Sequence, residues 1–285
     1  MIIYENEEYR LWDCHTHWSS LIMRLLKPFM HLLSIYDIID LTFANWNRFK
    51  GKENSNLENK MMRFQLVLDY YHIDRAINLP VFKLDRKISY ELQKKYPKRV
   101  IGFGIVNPKD KKLDQNLEDL LKYGVWGVKL HPHLMKFRYD YHSDGVGRIF
   151  EFCQENNIVI LSHTGSHSEI KNIIPLLKKY DDLGFILGHS GLQPQIEQAY
   201  KCAKECPNAY MDMSGNPYTY KFLEAIRDPD IGIERILFGT DIPTLHPRVE
   251  IQKVLALPIS VDEKRMIFSN NLENFLKKFL KDKFN

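Results

Sequence analysis

Tyr9-Arg10-Leu11-Trp12-Asp13-Cys14-His15-Thr16-His17 begins as an apolar, strand-like run and ends on two imidazoles. Side chains two apart along a strand share a face. His15 and His17 can therefore bind one cation from a single strand end. With eleven histidines in the chain, such a pair would often arise by chance. It gains weight from the residues that end later apolar runs. Lys129 and His131 end Gly127-Val128-Lys129-Leu130-His131, and His163 ends Ile158-Val159-Ile160-Leu161-Ser162-His163. His189 ends Phe185-Ile186-Leu187-Gly188-His189, and Asp241 ends Ile236-Leu237-Phe238-Gly239-Thr240-Asp241.

Working outward from these runs, eight segments read as strands: 9–14, 75–79, 100–105, 125–131, 158–163, 184–189, 208–213 and 235–240. Helical patterns separate them, over 58–72, 85–96, 112–123, 145–156, 168–180, 193–205 and 218–227, with 262–281 at the end. Several strand runs are continuously apolar, as expected when both faces of a parallel sheet are covered. Eight strand–helix units in 285 residues predict an α/β fold, a distorted (β/α)8 TIM barrel. A doubly wound open sheet is the alternative. Such a sheet commonly places a glycine-rich phosphate loop after its first strand, where this chain has His-Thr-His.

One segment breaks the repeat. Residues 18–57 separate the first strand from its helix, far beyond the usual loop of a few residues. This insertion carries Trp18, Phe29, Tyr36, Phe43, Trp46 and Arg48. It reads as a lid or substrate wall over the barrel mouth. The alternative is a small helical cover that touches no ligand. The whole chain, 1–285, is read as one domain.

Composition limits the function classes. Apolar residues make up 44% and charged residues 27% of the chain, ordinary for a soluble globular protein. The 40 basic residues against 36 acidic give +4, and many lysines cluster near the C-terminus as a solvated helix face would. With no nucleic-acid-binding motif, no nucleic-acid partner is expected. No apolar run is long enough for a membrane span, and the acidic start Met1-Ile2-Ile3-Tyr4-Glu5-Asn6-Glu7-Glu8 lacks the features of a secretory signal. A cytoplasmic protein without membrane contact is the expectation. Cys14, Cys153, Cys202 and Cys206 are too few for a disulfide framework and read as reduced thiols, although Cys202 and Cys206, four apart on a helix, could face one zinc.

Active sites of such barrels sit at the C-terminal ends of the strands. There this chain gathers His15, His17, Lys129, His131, His163, His189 and Asp241. Neutral imidazoles with a carboxylate suit Zn2+, and the same set could hold Fe2+, Mn2+ or Co2+. His189 or Asp241 would take a proton from a metal-activated water.

Five strings resemble the amidohydrolase superfamily: Asp13-Cys14-His15-Thr16-His17, Gly127-Val128-Lys129-Leu130-His131-Pro132, Leu161-Ser162-His163-Thr164-Gly165, Leu187-Gly188-His189-Ser190-Gly191 and Phe238-Gly239-Thr240-Asp241. Within it they are similar to the amidohydrolase-2 branch that includes aminocarboxymuconate-semialdehyde decarboxylase. The resemblance runs from residue 9 to about residue 275, with the motifs in family order. It implies one divalent ion, most simply zinc, on His15, His17, His163 and Asp241, with His189 as the catalytic partner. It also implies a homodimer, an expectation that the aromatic content of the insertion supports.

Trp18, Lys129, His131 and Arg138 are the candidate substrate contacts. Lys129 could instead be a structural ion-pair partner or a carboxylated bridge between two metals. His133 and His142 read more readily as solvent-exposed loop residues, and His246 and Arg248 as loop residues that could touch substrate. His167 reads as a surface group, His31 and His72 as structural. Asp212 and Ser214 could steady the mouth through hydrogen bonds. The leading functional reading is hydrolysis of an amide, lactone or ester in a small molecule, anionic if Lys129 or an arginine faces it. A decarboxylase could use the same site, and so could a metal-holding barrel without catalysis.

Overall fold

The computed structural model describes residues 1–18, 57–165 and 169–284. It opens with an antiparallel hairpin of β1 (Ile2–Tyr4) and β2 (Glu7–Tyr9). Eight parallel strands then follow around a barrel: β3 (Trp12–Thr16), β4 (Arg75–Asn78), β5 (Val100–Ile105), β6 (Gly127–Leu130), β7 (Val159–His163), β8 (Phe185–Gly188), β9 (Ala209–Asp212) and β10 (Ile236–Leu237). All eight expected strands are present, and the fold is the distorted (β/α)8 barrel read from the sequence. The hairpin is a correction. Glu5 and Asn6 both have positive φ, 51° and 66°, the backbone that a two-residue hairpin turn requires. Tyr9 therefore pairs with Ile2, and the first barrel strand starts at Trp12 rather than Tyr9.

The ladder runs β3 to β10 in order and leaves one seam, between β10 and β3. Single backbone bonds cross it: Cys14 N–H to Phe238 O at 3.0 Å, Asp241 N–H to His15 O at 2.7 Å and His17 N–H to Ile242 O at 2.7 Å. The buried Asp13 carboxylate adds two more, accepting from Thr240 N–H and the Thr240 hydroxyl at 3.0 and 2.5 Å, and it also accepts from His15 N–H of its own strand at 2.9 Å. Burial pushes the Asp13 carboxyl up to about 8, against those bonds, which favour the ionised form.

Alternation places the core. Val159, Leu161 and Ile186 face the barrel interior with Phe103, whereas Ile160, Phe185 and Leu187 pack outward under the helices. On β6, Val128 and Leu130 point outward, which turns Gly127 and Lys129 inward. A Cβ on Gly127 would meet the Phe103 ring at 2.2 Å, so that ring fills the barrel below Lys129. A third cluster joins α1 (Leu57–Tyr70) to the barrel through Met61, Phe64, Val67 and Leu68.

The other helices among the described residues are α2 (Arg86–Lys95), α3 (Leu113–Lys122), α4 (Pro132–Met135), α5 (Asp144–Glu155), α6 (Ile174–Lys179), α7 (Leu192–Glu205), α8 (Thr219–Arg227), α9 (Pro247–Leu255), α10 (Val261–Arg265) and α11 (Asn271–Leu280). The segment expected as one helix over 168–180 is shorter, with a 3-10 turn over Ile170–Asn172 before α6. α4 and α9 are additional, and both start at a His-Pro pair. Proline suits the first helical position, and the preceding histidine accepts a backbone N–H through Nδ1. His131 takes Leu134 N–H at 3.4 Å, and His246 takes Arg248 N–H at 3.1 Å. The four cysteines are buried free thiols. Among the described residues no helix is long and apolar enough to cross a membrane. The lid expected over 18–57 lies outside the described residues except at its ends, as do His31, Phe43, Trp46, Arg48 and His167.

Candidate metal centre

The C-terminal end of β3 carries the histidine pair. The register of β3 against β4 shifts between Asp13 and Thr16, an irregularity of the kind that re-aims a side chain. Around it, Cys14 and His15 both face Gly239, where a Cβ would lie 3.1 Å from Cys14 Sγ and 3.0 Å from His15 Cβ. The same Cβ would stand 2.6 Å from Asp212 Oδ1, so glycine is needed here for close approach.

Each ring of the pair is fixed by its Nδ1. His17 Nδ1 lies 2.9 Å from Leu79 O, and His15 Nδ1 lies 2.6 Å from Asp212 Oδ2. A carbonyl and a carboxylate only accept, so both Nδ1 atoms carry the proton and both Nε2 atoms present lone pairs. Those Nε2 atoms face each other at 3.1 Å, and Asp241 Oδ1 stands 3.6 Å from His15 Nε2 and 3.3 Å from His17 Nε2. Three buried acceptors that converge in this way repel one another unless a cation sits among them, and Lys129 Nζ, 3.2 Å from His15 Nε2, relieves that repulsion only from one side. Ligands each about 2.1 Å from one ion stand roughly 3.0–3.4 Å apart at right or tetrahedral angles. Histidines that donate their other N–H to a carboxylate or backbone carbonyl are the usual form of metal ligands. His15, His17 and Asp241 thus form a divalent-metal-binding site, their ligand atoms within 4.8 Å of one another.

His15, His189 and Asp212 also bring ligand atoms within that distance. This second group is a hydrogen-bond network, because its nitrogens already donate. His189 Nδ1 faces Ser214 O at 3.0 Å, and Asp212 Oδ2 accepts from His15 Nδ1, from His189 N–H at 3.0 Å and from the Ser214 hydroxyl at 2.7 Å. Asp212 and Ser214 therefore steady the mouth by hydrogen bonding, as their position at the end of β9 suggested. His189 and Asp241 have φ of 63° and 54°. That backbone costs a residue with a side chain on the order of 1–3 kcal/mol and persists where the surroundings enforce it.

Lys129 is 1% exposed, and its Nζ lies 3.2 Å from His15 Nε2. Burial lowers its pKa to about 8, partly offset by the Asp241 and Asp212 carboxylates. Burial also holds His15 well below the usual imidazole range, with the Lys129 charge next in effect. His163 lies outside the 4.8 Å grouping. Its ring stacks on His131 at 4.1 Å with the planes 8° apart, and it stands steeply inclined to the His189 ring, the centroids 4.8 Å apart. Burial, then neighbouring imidazoles and Lys129, keeps His163 far below its ordinary pKa and takes His131 down to about 3.

Two expected substrate contacts have other partners. The Trp18 indole is 6% exposed, stacks on Phe64 at 5.3 Å and donates to Lys60 O at 2.7 Å, which ties it to α1. The Arg138 side chain is 78% exposed and pairs with Glu169 at 3.2 Å. His133 and His142 are exposed, and Arg248 reaches Tyr70 Oη at 3.1 Å. The sequence reading missed Asp13 as the seam's seal, and it missed Glu250 and Lys253 on α9, which grip the loop below His189.

A family model described as Amidohydrolase matches residues 12–277. No curated protein matches the chain in sequence. Solved structures share the fold at low identity. A TIM-barrel protein from Bordetella bronchiseptica has a TM-score of 0.72 at 17% identity, covering 94% of this chain and 99% of its own. A dihydroxybenzoic acid decarboxylase from Polaromonas sp. JS666, with bound manganese and the inhibitor 2-nitroresorcinol, gives 0.65 at 17%, covering 95% and 97%. A 5-carboxyvanillate decarboxylase from Novosphingobium aromaticivorans, with manganese and 4-hydroxy-3-methoxy-5-nitrobenzoic acid, gives 0.66 at 15%, covering 96% and 98%. Similar folds also include a 4-oxalomesaconate hydratase and a protein described as a 2-pyrone-4,6-dicarboxylic acid hydrolase.

Proposed function

The chain belongs to the amidohydrolase superfamily, in its amidohydrolase-2 branch, and on that premise we propose that it is a metal-dependent decarboxylase of a small carboxylic acid. The observation that carries this reading is Lys129. Its buried ammonium touches His15, and the nearby Asp241 and Asp212 carboxylates offset its burial only in part, which leaves it suited to a further anion. A substrate carboxylate at the barrel mouth supplies one. The decarboxylases of aromatic acids among the similar folds support loss of CO2 over the hydrolysis favoured from sequence.

His15, His17 and Asp241 would hold the ion, with His163 as the fourth ligand that the family resemblance implies. When bound, the ion supplies Lewis acidity toward an anionic substrate oxygen. The donor set accepts zinc or manganese, and manganese in two similar folds favours manganese. Lys129 pairs with the substrate carboxylate. His189, fixed through Nδ1 on Ser214 O, holds the mobile proton at Nε2 and gives it to the carbon that bears the carboxylate. The bond from that carbon to the carboxylate then breaks. Its electron pair stays with the carbon skeleton, CO2 departs, and solvent returns a proton to His189. Asp241 would share that proton traffic. His131 would line the substrate side of His163. Trp18 and Arg138 would act at most from the rim, given their partners.

We further propose one catalytic domain and a homodimer. Light scattering giving only the 33.8 kDa monomer would refute the dimer. The functional test is metal analysis of the purified protein with a screen of hydroxybenzoic and unsaturated carboxylic acids against lactones and N-acyl amino acids. Stoichiometric CO2 is expected. A new acid group without CO2 would return the site to hydrolysis. In His189→Asn, turnover should fall about 10²- to 10⁴-fold, the usual share of an acid–base group, with the metal retained. Wild-type turnover would remove His189 from the mechanism.

A further inference from the structure

We propose that Glu250 and Lys253, a buried ion pair on α9, are positioning residues for His189. β9 ends at Asp212, and the loop after it carries the acceptor that fixes the His189 ring. The loop approaches the ring closely. Gly215 has φ +67°, and a Cβ there would lie 3.4 Å from His189 Nδ1 and 3.0 Å from Leu245 Cδ1. Asn216 Nδ2 reaches back to donate to His189 O at 2.9 Å. The position of the ring therefore depends on residues 213–216, where the strand ladder ends at Met213 N–H to Leu237 O at 3.0 Å and Ser214 N–H is held only by the Asp212 carboxylate, at 2.8 Å.

The pair on α9 holds them. Lys253 Nζ donates to Met213 O at 2.9 Å and to Asn216 O at 3.0 Å, bracketing the loop at both ends. Glu250 Oε2 accepts from Gly215 N–H at 3.1 Å, in the middle. The two side chains, three residues apart on the helix, meet at 2.5 Å and are 6% and 15% exposed. An ammonium has three donors, and all three are committed: two to the loop backbone and one to Glu250. An exposed ion pair would contribute little. This pair is shielded from water, and its charge-assisted bonds end on the backbone beside the ring. Loss of either partner leaves the other charge buried without its counterion and frees the loop that carries Ser214 O. No such role follows from the positions of Glu250 and Lys253 in sequence.

The catalytic consequence rests on the reading of His189 as the proton carrier, but the positioning itself can be measured without a substrate. In protein labelled with nitrogen-15 histidine, the His189 ring N–H should be a protected proton signal, assigned by its loss in His189→Asn. The His17 ring N–H on Leu79 O is the internal control. In Glu250→Ala and in Lys253→Met, exchange of the His189 proton should rise at least about tenfold while the His17 signal stays. Glu250→Gln, which keeps an acceptor for Gly215 N–H, should restore protection. An unchanged His189 signal in Glu250→Ala overturns the proposal. If that variant also loses the His17 signal, Lys253→Met decides by the same criterion. Loss of both signals in both variants would assign the pair to global folding and overturn it too. With a substrate from the screen, Glu250→Ala should lower kcat about 10- to 100-fold at unchanged KM and metal content. On a His189→Asn background it should add nothing. Wild-type turnover by His189→Asn itself would defeat the functional reading and leave the exchange result to decide the positioning.

Discussion

His15 and His17 at the end of β3, and His131 and His163 at the ends of β6 and β7, are two pairs of imidazoles in one barrel mouth. Their geometry differs. The first pair turns ring edges toward each other, Nε2 to Nε2 at 3.1 Å, whereas the second lies face on face at 4.1 Å. The cause is the partner of the other nitrogen. Leu79 O and Asp212 take the Nδ1 protons of the first pair and leave lone pairs toward Asp241. His131 Nδ1 instead accepts from Leu134 N–H, which puts its proton on Nε2 and withdraws that atom as a ligand. Position at a strand end brings an imidazole to the mouth. The hydrogen bond on its far side decides whether it can bind a cation there.

The sharpest way to break this contrast is to delete one ring from each pair. His17→Ala should lose the metal and with it all measurable turnover. His131→Ala should keep the metal at wild-type occupancy. Elemental analysis of both proteins after dialysis checks this, and equal metal loss in the two would erase the distinction.

A smaller effect sharpens the comparison. Asp212→Asn keeps the shape beside His15 but removes the charge that fixes its proton on Nδ1. Groups that orient a metal ligand are worth about 10- to 100-fold in affinity. Competition with a chromophoric chelator should show a loss in that range. Wild-type affinity would mean that the Asp212 contact does not set the tautomer of His15.

Much of this was legible because a parallel barrel repeats one rule. Each apolar run is a strand, and the polar residue at its end faces the mouth, so His15, His17, Lys129, His189 and Asp241 could be placed without contacts. What escaped depends on partners remote in sequence or on local turns. Asp13 looked like part of the first strand's apolar run, but its partner Thr240 is 227 residues away. Glu250 and Lys253 look like ordinary polar residues, and the stretch after Asp241 with His246 and Arg248 reads as loop although it forms α9. Trp18 follows the ligand pair directly, yet its ring is committed to α1, whose apolar face supplies Phe64. Tyr9 belongs to the hairpin because Glu5 and Asn6 turn the chain back.

The smallest expected effect concerns the stacked pair in the metal-free protein. His131 is ordinarily half protonated at 6.5, but burial, then the charge of Lys129, lowers it to about 3 in the folded state. Between those values the unfolded chain takes up a proton that the folded chain refuses. Folding stability is therefore complete above 6.5 and is lost as the pH falls toward the folded value. Asparagine at 131 removes the titration but keeps an acceptor suited to the start of α4. With a chelator present, the melting temperature of the wild type should fall more steeply from about pH 7.5 to about pH 5 than that of His131→Asn. His15, also held neutral by burial, contributes to both slopes and cancels in the difference, whereas His163, which His131 helps to keep neutral, loses part of its shift with the substitution and adds to the difference in the same direction. Parallel curves would show that His131 protonates freely in the folded protein. Its stacked contact with His163 would then be a charged one, and the face-on-face geometry of this pair would not rest on two neutral rings.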